Sequence, residues 1–557
     1  MAPLPEDLKK LKWYGDFPVM ERVIQKRLSR DIPQALKERL LAELEIIRRL
    51  PGQYPYSWDE AFAVMAENIR DFSREEFQAL WEEDAMEWIY IQGRVCFHHL
   101  FFSNLIKTRE WMCSRLLYPE LAAGKSENSD FLNQVIAVMK KEGKISRRFH
   151  VQTTMCLKES AQRSGEEIRV YLPVPVEYAQ VKDFALLHAR VAMDGNWKDV
   201  PVFRLSPEDT GEGICTGDEE RTKTIDGRSG RKSTEYAKSD ENFTAWIAPE
   251  HAPQRTVCFC GKYQKDTRFR VEYLYQVDMP YIDLYSSDEQ KSSEAYSSDG
   301  QKSPEAYSSD GQKSPEAYFS YRQRNPEAYS FNGQKNPKKV LPHGWFPEAR
   351  EDFPEYFLQE QLPHIHFTPY LRALAEEIVG KETRPLEKAR KIYDYLTTHV
   401  MYSFVRDYFS ITELVDYTAS GWKGDCGLQA LMFITLCRIA KIPARWQSGL
   451  YTRPADPGSH DWAMFYLEEY GWLFADCSFG GSAARMGCEE RRRFYFGNLD
   501  PYRMPSCCQF QADFLPPMKG WRFDPYDNQS GEAEYPDRCL HTEETETEHK
   551  VQEILHE

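Results

Sequence analysis

The C-terminal half of the chain holds a cysteine, a histidine and an aspartate whose surroundings suit covalent catalysis. Cys426 stands in Gly424-Asp425-Cys426-Gly427, His460 opens the run 460–467, and Asp476 closes the run 472–476. A thiolate attacks carbonyl carbons, an imidazole takes and returns the proton, and a carboxylate orients the imidazole. These residues predict a thiol acyl-transfer site with Cys426 as nucleophile, His460 as general base and acid, and Asp476 as the orienting group.

A helix directly after Cys426 would position the nucleophile. Apolar residues recur at helical spacing behind it, and most other positions are apolar too, which predicts a buried helix. The apolar face consists of Leu428, Leu431, Met432, Leu436 and Ile439. Asp425 suits the N-cap. Cys426 therefore falls in the first turn, where unpaired backbone N–H groups and the helix dipole are expected to favour a thiolate.

His460 and Asp476 are expected on two strands of one hairpin, with their side chains on the same face, because the carboxylate has to reach the imidazole. A four-residue loop at 468–471 would place them on opposite faces. A three-residue loop at 469–471 restores the parity, but it sets Asp476 opposite Met464, too far along the strand from the histidine.

A β-bulge near Ala475 or Ala463 is therefore expected to close the remaining gap. If the Asp476 carboxylate does not reach the imidazole, Asp461 is the alternative orienting group, although it is adjacent in sequence and points the other way.

Four short blocks carry a resemblance to a known superfamily. In chain order they read Gly-Asp-Cys-Gly-Leu-Gln-Ala-Leu, Ile-Pro-Ala-Arg-Trp, Ser-His-Asp-Trp-Ala and Gly-Trp-Leu-Phe-Ala-Asp-Cys-Ser. With these blocks, the segment from about 360 to 530 resembles a transglutaminase-like domain, and more particularly the multidomain bacterial members of that superfamily. The resemblance implies a papain-like α+β core that carries Cys426, His460 and Asp476 as its triad. The β region ahead of it resembles the domain that often precedes such cores.

The resemblance also bears on how an oxyanion would be stabilised. The first donor is expected to be the backbone N–H of Cys426. Such cores often use an upstream aromatic side chain as the second donor, which makes Tyr402 and Trp422 the candidates. The sequence has no Asp-rich loop with EF-hand spacing, so calcium activation is not implied.

Composition along the chain predicts an α+β multidomain protein. Helical periodicity dominates the N-terminal part, and strand-like alternation dominates the middle part. A repetitive segment comes next, and the papain-like transglutaminase core follows it. The expected parts are a mostly helical domain at 1–147, a β-sandwich-like domain at 148–284 with a mobile loop at 207–242, a repeat linker at 285–339, the core at 340–530, and a frayed acidic tail at 531–557.

The segment 285–339 repeats with a period of 11 residues, in copies that begin at Tyr285, Tyr296, Tyr307, Tyr318 and Tyr329. Pro or Gly interrupts four of the five copies and apolar residues are few, which predicts a solvated linker rather than a coiled coil. Four copies also carry adjacent Gln and Lys, as in Gln312-Lys313. The alternative is that the repeats supply an acyl donor and an acceptor to the enzyme.

Charge and cysteine usage limit the partners and the compartment. The net charge of −16 argues against nucleic acid and against an anionic membrane surface. The N-terminus does not have the pattern of a signal peptide, and the 13 cysteines are scattered, which together predict a cytoplasmic protein. Neither a cofactor nor a metal is expected, because the pairs Cys258–Cys260 and His364–His366 lack a second pair nearby.

The function expected from these residues is cysteine-dependent acyl transfer on peptide or protein amides through a thioacyl-enzyme intermediate. Water as acceptor would make the protein a protease or amidase, whereas a lysine amine would make it a cross-linking enzyme. The alternative is a non-catalytic interaction scaffold that retains the fold. The oligomeric state does not follow from the sequence.

Overall fold

The computed structural model describes residues 3–122, 125–205, 242–250, 252–285, 354–522 and 524–554. The predicted mobile loop at 207–242 lies outside the described residues except for Asn242, and the 11-residue repeats lie outside them except for Tyr285.

Helices dominate the N-terminal part, where two apolar clusters form its core. The helices are α1 (Glu6–Trp13), α2 (Phe17–Leu28), α3 (Gln34–Gln53), α4 (Trp58–Asn68), α5 (Arg74–Glu82), α6 (Phe101–Thr108), α7 (Glu110–Cys113) and α8 (Lys125–Glu142). A small sheet in the order β1-β3-β2 joins β1 (Tyr56–Ser57), β2 (Trp88–Ile91) and β3 (Arg94–Phe97). The β2–β3 turn is Gln92-Gly93, and both residues have positive φ, as a two-residue hairpin requires.

Strands take over after α8. They are β4 (Lys144–Leu157), β5 (Glu167–Pro173), β6 (Val181–Met193), β7 (Asn196–Asp199), β8 (Val202–Arg204), β9 (Phe243–Ile247), β10 (Thr256–Lys262) and β11 (Arg268–Pro280). They belong to two sheets that face each other: the rings of Phe243 and Phe259 from one sheet pack on Phe269 of the other, at centroid distances of 5.5 and 5.6 Å. The arrangement is a β-sandwich.

The remaining helices and a third large sheet form the region that holds the predicted triad. The helices are α9 (Pro369–Val379), α10 (Pro385–His399), α11 (Leu414–Gly421), α12 (Cys426–Ile439), α13 (Cys477–Arg485) and α14 (Glu489–Phe494). The strands are β12 (Met401–Tyr402), β13 (Lys423–Gly424), β14 (Ala444–Tyr451), β15 (Gly458–Leu467), β16 (Gly471–Ala475), β17 (Phe496–Gly497) and β18 (Arg503–Cys507). Single turns of 3₁₀ helix span Pro119–Ala122, Glu159–Ala161, Pro354–Leu358, Tyr408–Ser410 and Thr542–Glu544.

Five of these strands form an antiparallel sheet in the order β17-β16-β15-β14-β18, and α12 lies on one face of it. Phe433 of α12 packs edge to face on Phe465 of β15, with ring centroids 5.7 Å apart. Every residue of α12 from Gly427 to Arg438 is buried. The predicted buried helix behind Cys426 is therefore confirmed, because an all-round apolar helix has to be covered on all sides.

As far as Ile554, the last described residue, the C-terminal segment is not a frayed tail, and the expectation of fraying is wrong for this part. β19 (Glu532–Tyr535) pairs with β5, β20 (Arg538–Cys539) pairs with β19, and β21 (Thr545–Ile554) pairs with β4 over ten positions. The two sandwich sheets thus run β20-β19-β5-β10-β9-β8 and β21-β4-β11-β6-β7. In β21, exposed charged residues alternate with half-buried ones, as suits an edge strand. The exposed charges of Glu546, Glu548 and Lys550 are why the composition of the segment resembles that of a solvated tail.

The structure confirms the α+β multidomain class, with a mostly helical N-terminal region, a β-sandwich and a transglutaminase-like core. Among the described residues, no helix combines the length and the apolarity that a membrane crossing needs.

Candidate active site

The nucleophile candidate is the first residue of a capped helix. Asp425 is the N-cap of α12, and its side chain accepts a hydrogen bond from the Leu428 N–H at 3.1 Å. Cys426 follows directly, as predicted. The next residue is a glycine in a crowded place, because a Cβ at Gly427 would overlap the Tyr408 hydroxyl and come within 2.9 Å of an Asp461 carboxylate oxygen, so these side chains would have to shift.

His460 and Asp476 meet across the β15–β16 hairpin, where His460 Nε2 lies 2.7 Å from Asp476 Oδ2. Their side chains therefore share a face, and this geometric expectation is confirmed. The imidazole is 5% exposed and the carboxylate is fully buried.

The hairpin reaches this geometry without the predicted bulge near Ala475 or Ala463. Pairing runs without a break from Leu467–Gly471 to Ala463–Ala475, so the three-residue loop is 468–470 rather than 469–471. Gly471 opens β16 with a φ of +76°. The bulge is unnecessary because this register brings Asp476 opposite Trp462. His460, two residues before Trp462, is then the diagonal neighbour of Asp476 on the same face, close enough for the two side chains to touch.

Asp476 is held by four hydrogen-bond donors. Besides His460, Arg503 donates from Nη2 at 2.9 Å, the Ser478 hydroxyl at 3.0 Å and the Phe479 N–H at 2.9 Å. Burial by itself would raise the pKa of Asp476, but His460 and Arg503 outweigh it and lower the pKa to about 2. The orienting carboxylate is therefore ionised at neutral pH.

Arg503 is a residue of the site that sequence reasoning missed. Its guanidinium is fully buried and pairs with both Asp476 and Asp500, at 2.9 and 3.1 Å. The rings of Phe479 and Tyr451 flank it at 4.2 and 4.8 Å. No local pattern marks it, because it stands on β18 and approaches Asp476 only through the order of strands in the sheet.

The imidazole of His460 is neutral at neutral pH. Burial lowers the pKa of His460, and the charge of Asp476 only partly restores it. Because Nε2 faces the Asp476 carboxylate, we assign the ring proton to Nε2, which leaves the lone pair on Nδ1. Nδ1 is thus the nitrogen that can act as a base.

The Cys426 thiol is hydrogen-bonded to Asp461 rather than to His460. Its Sγ donates to Asp461 Oδ2 at 3.2 Å, and within the described chain no hydrogen bond joins Cys426 and His460. The alternation of side chains along β15 explains this contact: Asp461 points to the face that α12 covers, whereas His460 points to the other face, toward Tyr451 and Phe479.

This environment disfavours the thiolate. Burial, followed by the charges of Asp461 and Asp425, raises the pKa of the Cys426 thiol well above its ordinary value, and the Asp461 N–H offsets only part of the increase. The expectation that the helix start favours a thiolate is therefore wrong for this resting arrangement. Burial and the two neighbouring carboxyl groups act against the thiolate here.

Of the two aromatic candidates for the oxyanion hole, the contacts favour Tyr402. The Tyr402 hydroxyl interacts with the Cys426 side chain, and burial, followed by the charge of Cys426, raises the pKa of Tyr402 well above its ordinary value. Trp422 caps α11 in a left-handed conformation with φ of +50°, and its ring packs on Tyr395 at 5.6 Å.

The two close pairs considered as metal ligands have other roles. Cys258 and Cys260 lie on one face of β10, with their sulfur atoms 3.8 Å apart in an apolar cluster. His364 is buried against Tyr526, which it contacts through a 2.9 Å hydrogen bond, and His366 faces Glu413 at 3.7 Å. No group of three or more metal-binding side chains gathers anywhere in the described part of the chain.

Residues 372–477 match the Transglutaminase-like superfamily, so this stretch is a transglutaminase-like domain. An uncharacterized protein of Haemophilus influenzae is 27% identical over 188 residues, which cover 27% of this chain and 48% of the relative. The chain thus spans about half the length of the curated relative it matches.

Two solved structures are similar to parts of this chain at low sequence identity and low TM-score. One is named "Putative Cysteine Protease" and comes from Cytophaga hutchinsonii. It is 11% identical in sequence, the match covers 74% of this chain and 94% of that chain, and the TM-score is 0.35. The other is the periplasmic domain of TgpA from Pseudomonas aeruginosa, with 13% identity, coverage of 61% and 96%, and a TM-score of 0.23.

Proposed function

We propose that the protein is a cysteine-dependent acyl-transfer enzyme that acts on peptide or protein amide bonds through a thioacyl-enzyme intermediate. The observation that carries this proposal is the 2.7 Å hydrogen bond from His460 Nε2 to Asp476. His460 lies on β15, the strand against which the helix that begins at Cys426 packs. A merely structural sheet has no need for a buried imidazole held by an ionised carboxylate.

The proposed reaction requires the Cys426 thiol to leave Asp461 and come within reach of His460, because the two side chains lie on opposite faces of the sheet in this arrangement. The thiol proton then passes to His460 Nδ1 while Sγ bonds to the amide carbon. The Cys426 N–H and the Tyr402 hydroxyl stabilise the negative charge on the carbonyl oxygen. The carbon–nitrogen bond then breaks, and the imidazolium returns the proton to the departing amine. Asp476 stays ionised throughout and holds the imidazole in place.

Water or an amine completes the cycle by attacking the thioester, and the triad serves both acceptors equally. Incubating the protein with a cell lysate and a tagged primary amine distinguishes them. Incorporation of the tag into proteins shows transfer, whereas new protein N-termini show proteolysis. A Cys426→Ala variant in the same lysate is the control for background reactions.

A non-catalytic scaffold with the same fold is the alternative. Alkylation by iodoacetamide separates the two, because only an enzyme requires Cys426 to react through His460. We expect Cys426 to be alkylated at a rate that drops in His460→Ala. A rate at Cys426 that is unchanged in His460→Ala would favour the scaffold.

We propose the cytoplasm as the compartment. The support is the cysteine chemistry: cysteines such as Cys426, Cys437 and Cys477 are free thiols, which suits a reducing environment. Immunodetection in fractions of the native host tests this proposal.

A further inference from the structure

We propose that the cavity between the N-terminal helices and the transglutaminase-like core binds a small organic acid with an aromatic body. Lys12, Arg39 and Arg406 would receive its carboxylate. Trp13 and Trp521 would contact its ring. The inference stands apart from the proposed function, because no member of the triad lines this cavity.

The cavity lies at the junction of two regions of the chain and has a volume of about 940 Å³. Side chains of α1, α2, α3 and β2 form one wall, whereas residues of the segment 406–413, together with Trp521 and Tyr526, form the other. A volume of this size is typical of sites for small molecules. A ligand in this place would contact both regions at once.

Each wall carries a tryptophan that remains open to solvent. Trp13, the last residue of α1, is 69% exposed, and Trp521 on the opposite wall is 46% exposed. The Trp521 ring packs on Phe409, another lining residue, with ring centroids 5.7 Å apart. Large aromatic side chains left exposed beside a cavity are typical of ligand-binding sites, because their rings gain contacts only when a ligand covers them. They indicate a ligand with an aromatic body.

A cluster of three cations and two carboxylates lies on these walls. Glu43 is fully buried and pairs with both Lys12 and Arg39, at 2.7 Å in each case. Arg406 and Glu87 both line the cavity. The cluster therefore has one positive charge in excess, which a ligand carboxylate would balance.

The other charged side chains of the lining have partners of their own. The pairs are Lys9 with Glu6 at 2.6 Å, Asp84 with Lys423 at 3.1 Å, and Glu413, whose side chain is 39% exposed, with His366 at 3.7 Å.

Arg406 has a donor to spare for an anion. Its Nε is buried and has no hydrogen-bond partner among the described residues, while the guanidinium lies over the Tyr417 ring at 5.6 Å. A buried N–H normally has an acceptor, and a carboxylate is the acceptor to which a guanidinium binds most strongly. A ligand carboxylate beside Arg406 would supply the missing acceptor.

The cations of the cluster also act on one another. Burial lowers the pKa of Lys12 below its ordinary value, and the pairing with Glu43 offsets part of this decrease. The charges of Arg406 and Arg39 lower it further, so the three cations are close enough to repel. A bound carboxylate would relieve this repulsion.

The test is isothermal titration calorimetry of the full-length protein with two ligands that differ in one group. N-acetyl-L-tryptophan carries the carboxylate, and N-acetyl-L-tryptophanamide replaces it with a neutral amide. We expect the acid to bind at one site per chain and the amide to bind about tenfold more weakly, as for the loss of one charged hydrogen bond. Equal affinities for the two ligands, or no saturable binding of the acid, would overturn the proposal.

Lys12→Gln should weaken binding of the acid about tenfold and leave binding of the amide nearly unchanged, because it removes only a positive charge. Lys10→Gln makes the same change at an exposed position of the same helix and should bind both ligands like the wild type. Equal affinity for the acid in these two variants would contradict the assignment of the carboxylate to this cluster.

Trp13→Ala is the second variant, and it decides the question if Lys12→Gln does not fold by circular dichroism. It should weaken binding of both ligands about threefold, because it removes a ring contact that does not depend on charge. Tyr14→Ala, at the next residue, which is 63% exposed and outside the lining, is its control. Binding of the acid that Trp13→Ala leaves at the affinity of Tyr14→Ala would place the ligand elsewhere and overturn the proposal.

Discussion

At the scale of single residues, Asp476 shows how a buried charge is kept in place. Removing a carboxylate from water is costly unless donors replace the lost hydration. Here the imidazole of His460, the guanidinium of Arg503, a hydroxyl and a backbone N–H supply these donors. The group is thus a fixed negative charge that orients the imidazole of His460 and, in the proposed reaction, stabilises the imidazolium.

Replacing Asp476 by Asn should slow acylation of Cys426 by roughly a hundredfold or more, because the amide favours the wrong tautomer and does not stabilise the imidazolium. The measurement is the acylation rate with an activated ester. Glu468→Gln, at the exposed hairpin loop, is the matched control and should react like the wild type. A rate for Asp476→Asn within a factor of two of the wild type would show that this carboxylate does not serve the reaction.

Sequence reasoning identifies Cys426, His460 and Asp476 because each lies in a short block with its own local pattern. The contact of Cys426 with Asp461 and the role of Arg503 lie beyond local patterns. The first depends on which face of β15 the helix covers, and the second on a strand that comes 27 residues after Asp476 in the chain. Both follow only from the assembled sheet.

At the scale of elements, β21 shows that composition alone can mislead. Exposed residues stand at alternate positions of this strand, so a charged segment still has one half-buried face while it pairs with β4; the exposed residues are Glu546, Glu548, Lys550 and Gln552. The loop at 468–470 shows the same limit in a different way. The sequence predicts an odd loop length, but the position of the loop, which differs by one residue, is set by pairing along the whole hairpin.

Deleting 545–557 should lower the melting temperature by roughly 5 °C or more, because it removes ten paired positions and exposes the edge of β4. Differential scanning fluorimetry of the truncated and full-length proteins measures the change. Deleting 555–557 alone, which leaves the whole of β21 in place, is the control and should change little. Equal melting temperatures for the two truncations would contradict a stabilising role for β21.

A second test at this scale uses the ion pair between His541, just before β21, and Glu45 of α3, which lie 3.3 Å apart. Hydrogen bonds to Glu45 and Glu543 raise the pKa of His541 to about 9. The protonated form therefore favours the folded state. Its contribution is complete below the unfolded value of about 6.5 and disappears as the pH rises through 9.

His541→Gln should therefore melt below the wild type at pH 6, and the difference should shrink toward zero by pH 10. Melting curves of both proteins across this range measure it. His399→Gln, at the exposed end of α10, is the control for the general effect of losing a histidine. A difference that stays constant from pH 6 to 10 would rule out the ionised pair as its source.

At the scale of the whole molecule, the N-terminal helices hold the segment that leads to the nucleophile. The Asn104 amide of α6 donates to the Phe404 carbonyl at 2.8 Å and accepts from its N–H at 2.6 Å. Lys107 lies over the rings of Tyr402 and Phe404, at 4.8 and 3.7 Å. A region that the sequence describes only as helical thus contacts the proposed oxyanion donor directly.

Asn104→Leu should lower both the stability and the acylation rate. It leaves the half-buried N–H of Phe404 without a partner, at a cost of about 1–3 kcal/mol, while the Phe404 carbonyl still accepts from the Ser403 hydroxyl at 3.1 Å. We expect the acylation rate to fall about tenfold, because Tyr402 is no longer held beside Cys426. Thr108→Val, on the same helix, removes only an intrahelical hydrogen bond and serves as the control. Equal acylation rates in the two variants would contradict this positioning role.

The central claim is that Cys426 forms a covalent thioacyl intermediate with the help of His460. The most direct measurement is to mix the protein with p-nitrophenyl acetate, quench it in acid and map the acetyl group by mass spectrometry. We predict an acetyl group on Cys426 in the wild type, slower acetylation in His460→Ala, and none at this position in Cys426→Ala, whose melting temperature should equal that of the wild type. Acetylation that spreads over other cysteines, or that proceeds equally fast without His460, would contradict the claim.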